Sequence, residues 1–186
     1  MIKHKAITLL FISGILLSAC SNGNGHEGDM SGDMEGMEHG EMNHEDTGAL
    51  PKGLKEAPNP QYRVGSKAIL KASHMEGMES AEATIAGAYD TVVYTVSYTP
   101  TTGGEKVENH KWVIHEELQD VGDQPVKPGD EVVLNTEHMK GMKGARATID
   151  SAEKMTVYMV DYTPVTGGEK VNQHKWVTGT ELSPVE

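Results

Sequence analysis

In the stretch Val157 to Tyr162 apolar and polar side chains alternate with a period of two. Tyr158, Val160 and Tyr162 share one face, while Met159 and Asp161 share the other. That period belongs to a half-buried strand, not to a helix. Similar runs surround it. Gly129-Asp130-Glu131-Val132-Val133-Leu134 reads as a turn followed by a strand, a second strand passes through Ala147-Thr148-Ile149, and Val171 to Val177 forms a returning strand. Between the last two runs, Thr163-Pro164-Val165-Thr166-Gly167-Gly168 has the composition of a hairpin turn.

The same pattern occurs earlier in the chain. His74-Met75-Glu76-Gly77-Met78 returns as His138-Met139-Lys140-Gly141-Met142, 64 positions on. The same offset carries Ala83-Thr84-Ile85 onto Ala147-Thr148-Ile149, Tyr94 and Tyr98 onto Tyr158 and Tyr162, and Gly103-Gly104-Glu105-Lys106-Val107 onto Gly167-Gly168-Glu169-Lys170-Val171. His110-Lys111-Trp112-Val113 maps onto His174-Lys175-Trp176-Val177 without a gap. The folded part is therefore an internal duplication. The reading is an all-β chain with two tandem small domains, 62–121 and 126–186, parted where Gly122, Pro125 and Pro128 punctuate the sequence. Four or five short strands in so few residues favour a small curled sheet or barrel, and the pattern is similar to SH3-like barrels.

The region before the repeats differs in kind. Lys3 and Lys5 precede an apolar run from Ala6 to Leu17, followed by Ser18-Ala19-Cys20. The run is too short to span a bilayer and reads as a secretory signal over 1–19. Small residues directly before a cysteine resemble the lipobox of bacterial lipoproteins, in which that cysteine is acylated. Cys20 is the one cysteine of the chain, so the processed protein has no disulfide and no thiolate metal site. Residues 20–48 are Gly, Met, His, Glu and Asp with hardly an apolar residue besides methionine. Such a tail buries too little to offset its ordering entropy, and disorder is expected when it is empty. Residues 49–61, with Pro51, Pro58 and Pro60, form a stiff connector.

The net charge is −12 before the leader's lysines are removed. So acidic a chain repels nucleic acid and anionic headgroups. The candidate chemistry lies in His, Met and carboxylates. In the tail, His26, Met30, Met34, Met37, His39, Met42 and His44 stand among aspartates and glutamates. Thioethers are soft, neutral ligands that suit copper(I) outside the cell, where thiolates oxidise, and imidazole adds affinity for copper(II). A plain acidic spacer explains the Gly, Asp and Glu but not the exposed, oxidisable methionines. Sacrificial oxidant trapping would explain those methionines without any metal affinity.

The folded domains offer a second ligand set, His74, Met75 and Met78 with His138, Met139 and Met142. Gly77 and Gly141 permit a turn that returns the second methionine towards the histidine. Methionine also fills irregular gaps in small cores, so packing and ligation both remain open for these loops. Glu76 and Glu79 become Lys140 and Lys143 in the second copy, so the first loop should hold a cation more tightly, most clearly at low salt. His110 and His174 share a face with Trp112 and Trp176 and read first as structural residues, with ligation the lesser alternative. No nucleophile elbow, HExxH or phosphate-binding turn is present, so a repeated binding task is expected and not catalysis.

These features together resemble the YdhK family of bacterial lipoproteins and, within it, the copper-binding CopL-type surface lipoproteins. The resemblance rests on the lipobox ending at Cys20, the Met/His-rich tail, and paired His-Met-x-Gly-Met and His-Lys-Trp-Val motifs. It implies a protein lipid-anchored on the outer face of a Gram-positive membrane that binds copper and protects against its excess, with a copper exporter or cell-wall component as a compatible partner. The competing expectation is an envelope interaction module, with paired domains binding a cell-wall or protein partner and the tail serving as a spacer.

Overall fold

The structure, a computed structural model, describes residues 49–185. The lipidation candidate Cys20 and the tail candidates His26, Met30, Met34, Met37, His39, Met42 and His44 lie outside the described residues.

The described chain is almost entirely β. After a short β1 (Lys55–Glu56) come β2 (Lys67–Leu70), β3 (Glu82–Tyr98), β4 (Val107–Ile114), β5 (Glu131–Val133), β6 (Arg146–Tyr162), β7 (Val171–Thr178) and β8 (Leu182–Pro184). Single 3-10 turns at His115–Glu117 and Gly179–Glu181 follow β4 and β7. The sequence reading placed separate strands at Ala147–Ile149 and Val157–Tyr162. They are one strand, because Asp150 to Thr156 contains no glycine or proline to interrupt the ladder.

The strands form one open antiparallel sheet, in which β3 and β6 pair along nearly their whole length. Ala83 faces Tyr162 and Tyr98 faces Ala147. Each pair joins a position of one copy to the counterpart of its own partner, so the two copies are related by a local two-fold through the middle of the ribbon. On the flanks, β2 and β4 pair with opposite halves of β3, and β5 and β7 with opposite halves of β6. β8 returns to pair with β2, and Leu118 bridges to Leu134.

The two copies consequently share their cores. One end core combines Ala68, Leu70, Met78 and Ile85 from the first copy with Tyr158, Tyr162, Val177 and Leu182 from the second. The other end core combines Tyr94, Tyr98, Val113 and Leu118 with Leu134, Met142, Ala147 and Ile149. Between them, Tyr89, Val93, Ile114, Val157, Met159 and Trp176 form a central core, against which Trp112 packs. Neither copy closes a core alone.

Candidate metal centre

The His-Met-x-Gly-Met loops follow β2 and β5. In each the amide of the second methionine donates to the carbonyl of the first, Met78 to Met75 at 3.2 Å and Met142 to Met139 at 3.1 Å. The glycine takes a left-handed conformation, φ +71° at Gly77 and +79° at Gly141. Each glycine carbonyl accepts from the hairpin turn of the other copy, Val165 N–H to Gly77 and Thr101 N–H to Gly141, both at 2.9 Å. A Cβ at Gly141 would stand 2.6 Å from Thr102 Oγ1 and 3.0 Å from the Pro100 Cβ, and Gly77 is equally crowded by Thr166 and Pro164. Glycine is thus needed twice over, for its φ and for backbone-close docking.

This geometry separates the loop methionines. Met78 and Met142 are wholly buried in the two end cores, as a gap-filling role requires. Met75 and Met139 stay near the surface, with the sulfur of each beside a tyrosine hydroxyl. Tyr162 donates to Met75 Sδ at 3.8 Å, and Tyr98 to Met139 Sδ at 3.9 Å.

The loop histidines meet carboxylates that the sequence reading had not singled out. His138 Nε2 lies 2.7 Å from Glu117 Oε1, and His74 Nε2 lies 2.8 Å from Glu181 Oε1. Glu117 also accepts from Trp176 Nε1, the Thr136 hydroxyl and the Ile114 amide. Glu181 accepts from Trp112 Nε1 at 2.8 Å and from the Thr178 amide and hydroxyl. Burial pushes both carboxyls up, but for Glu117 the charge and hydrogen bond of His138, with the Ile114 and Trp176 donors, outweigh it and hold the group below the usual range. For Glu181 the bonds from His74, Thr178 and Trp112 do the same, to about 2. An ionised carboxylate only accepts, so Nε2 of each histidine carries a proton, and Nδ1 is left as the nitrogen that can take a further ligand. Ligating histidines are commonly oriented in this way. One signal in the sequence pointed to these groups, since Glu117-Leu118 and Glu181-Leu182 also stand 64 apart.

The second histidine of each copy faces the loop histidine of the other copy. Ring centres of His110 and His138 are 6.3 Å apart, and those of His74 and His174 are 6.4 Å apart. His110 packs edge-on against Tyr98 and His174 against Tyr162, both at 5.9 Å. His110 Nε2 is sealed from solvent and has no hydrogen-bond partner among the described residues. Burial, then the charges of His138 and His74, lower this histidine to about 4 against the opposing pull of Glu117, so its ring is neutral at pH 7. His115 is different, spanning the Tyr94 hydroxyl and the Gly122 carbonyl as a structural tie.

Among the described residues no three His, Cys, Asp or Glu side chains gather closely enough to hold an ion by themselves. The lysines that replace Glu76 and Glu79 remain on the second loop, where Lys143 lies 3.6 Å from Glu137 and so loses part of its repulsion for a cation.

Residues 64–115 and 128–179 each match the protein family described as a protein of unknown function, DUF1541. The chain is 55% identical over 184 residues to the uncharacterized protein YdhK of Bacillus subtilis strain 168, covering 98% of this chain and 90% of that relative. A crystal structure of that DUF1541 protein from Bacillus subtilis superposes with a TM-score of 0.75 at 61% identity, covering 78% of this chain and 99% of the other. The solution structure of the YdhK C-terminal domain from the same organism gives a TM-score of 0.64 at 65% identity, covering 66% of this chain and 92% of the other. With both repeats matched and a relative aligned along almost the full length, the chain belongs to the DUF1541 family.

Proposed function

We propose that this chain is an extracytoplasmic copper-binding lipoprotein, held to the membrane through Cys20, that sequesters or buffers copper without catalysing a reaction. The observation that carries the reading is the twice-built occurrence of a carboxylate-oriented imidazole and, at the next position in the chain, a surface-lying thioether, His138 with Met139 and His74 with Met75. A thioether together with an imidazole is a donor set for a soft monovalent cation and a poor one for calcium or magnesium. The Met/His-rich segment at 20–48 supports the same reading by composition, gathering cations near the anchor. Met78 and Met142, committed to the cores, drop out of the ligand set.

The test is a copper(I) competition against a chromophoric chelator, using the full chain from residue 20 with Cys20→Ser to remove the thiol. Submicromolar binding is expected. It should weaken when Met30, Met34, Met37 and Met42 become leucine, and weaken further with Met75→Leu and Met139→Leu. A chain that leaves all copper with the chelator would refute the reading and favour an envelope interaction module.

A further inference from the structure

We propose that Met75 and Met139 are oxidation sites for hydrogen peroxide, and that Tyr162 and Tyr98 hold the resulting sulfoxides, so that each loop takes up oxidant without leaving its core. This is a second activity of the folded part and needs no metal.

The argument begins with the tyrosines. Tyr98 and Tyr162 are 1% and 2% exposed, and burial pushes both phenols up, so at neutral pH they remain protonated donors. Buried hydroxyls are as a rule given good acceptors. These two are not. Among the described residues the acceptor of each is a thioether, Met139 Sδ at 3.9 Å for Tyr98 and Met75 Sδ at 3.8 Å for Tyr162. Sulfur in a thioether is a weak acceptor. The arrangement is built in both copies and leaves two buried donors only partly satisfied.

Oxidation supplies what is missing. A sulfoxide oxygen is a strong, polar acceptor on the same sulfur. Turned towards the hydroxyl, it fills the long gap and leaves an O–H···O contact of about 2.7 Å, the ordinary length for such a bond. Methionine is unbranched and flexible enough to make that turn. Tyr98 ends β3 and Tyr162 ends β6, whereas Met139 follows β5 and Met75 follows β2. Each new bond would therefore tie the loop of one copy to the strand end of the other.

The second methionine of each loop shows the opposite arrangement. Met78 and Met142 are 0% exposed, while Met139 is 38% exposed and Met75 is half-buried. An oxygen on Met78 or Met142 would stand in an apolar core, where an unpaired polar group is costly. Reactive and protected thioethers are thus separated within a span of four residues, and the reactive one is the one backed by a hydroxyl.

The chemistry balances with peroxide alone. A sulfur lone pair attacks one peroxide oxygen, and the S–O bond forms as the O–O bond breaks. Sulfur gives up two electrons, and the departing hydroxide takes the proton of the transferred hydroxyl. Thioether and hydrogen peroxide become sulfoxide and water. Sulfoxide reductases reverse the change.

The experiment uses the chain from residue 20 with Cys20→Ser and with Met30, Met34, Met37, Met42 and Met155→Leu, in chelator-treated buffer, so that its outcome does not bear on copper binding. After exposure to hydrogen peroxide, peptide mass spectrometry should find oxygen on Met139 and Met75, with Met78 and Met142 reacting about ten-fold more slowly, as their burial requires. Equal rates at all four would overturn the inference. Oxidation should then shift the melting midpoint of this chain more favourably than that of its Tyr98→Phe variant, by roughly 3 °C, the effect of one net hydrogen bond in a domain of this size. Equal shifts would mean that the hydroxyl does not hold the sulfoxide, and the proposal would fail. Should Tyr98→Phe not fold, ¹³C spectra of the tyrosine rings decide. The Tyr98 Cζ resonance must move on oxidation and stay fixed in Met139→Leu; no movement in the parent would refute the bond.

Discussion

Glu117 and Glu181 occupy equivalent positions, yet the same substitution should not have the same effect at the two. Glu117 has 4% of its side chain exposed and Glu181 15%. Glu117→Ala leaves the Trp176 indole, the Thr136 hydroxyl, the Ile114 amide and His138 facing a buried void. Loss of one partner from a buried charged network costs about 3–5 kcal/mol, and the urea midpoint should fall accordingly. Glu181→Ala should lose roughly half as much, because water can reach some of its donors. Equal losses would show that burial does not grade these networks. At the same scale His110 sets an acid limit for the folded protein. Its folded value of about 4 lies below the ordinary 6.5, so the unfolded chain takes up the proton first. Stability is full above pH 6.5 and declines as the pH drops towards 4, by on the order of 3 kcal/mol. Glu181, held at about 2 from 4.5, adds its own loss only below pH 4.5. Denaturation at pH 7 and pH 4.5 should therefore show a slope that His110→Gln flattens. Little of this residue-level detail could be read in the sequence. Period and spacing found His74 and His138, but only packing could tell the buried Met78 and Met142 from the accessible Met75 and Met139.

At the level of elements, the loops and hairpin turns were legible because glycine and proline mark them, whereas the long strands were not. Nothing in a period-two pattern says that Ala147–Ile149 and Val157–Tyr162 belong to one 17-residue strand; that follows from the missing turn residues between them. The sequence also gave no sign that each loop would rest on the hairpin of the other copy. That contact predicts a contrast within one loop. Gly141 and Gly144 have nearly the same φ, +79° and +77°, but a Cβ at Gly144 meets open space and one at Gly141 meets Thr102 and Pro100. Gly144→Ala should cost about 1 kcal/mol for its left-handed backbone alone. Gly141→Ala adds the displacement of a docked hairpin, about 1–3 kcal/mol more, and should release the Thr101 amide to rapid hydrogen exchange. Equal thermal midpoints for the two variants would mean that the loop–hairpin contact contributes nothing.

For the whole molecule, the duplication was read correctly from the 64-residue offset, but the offset cannot reveal which copy a strand pairs with, because both partners carry the same pattern. The structure exchanges them. Tyr158, Val160, Tyr162, Val177 and Leu182 complete the core begun by Leu70, Met78 and Ile85. Their counterparts Tyr94, Val96, Tyr98, Val113 and Leu118 complete the core begun by Leu134, Met142 and Ile149. A chain ending near Asp123 therefore keeps Leu70, Met78 and Ile85 but loses the residues that cover them. It also keeps Tyr94, Val96, Tyr98, Val113 and Leu118 with nothing beneath them. Two such chains can meet each other's needs by pairing β3 with β3 about the same local two-fold, since each supplies the set the other lacks, which is the low-cost logic of element exchange. Residues 49–123 alone should thus sediment as a dimer that dissociates and unfolds together on dilution, with a concentration-dependent melting temperature. A folded monomer at micromolar concentration would show that one repeat can close its own core.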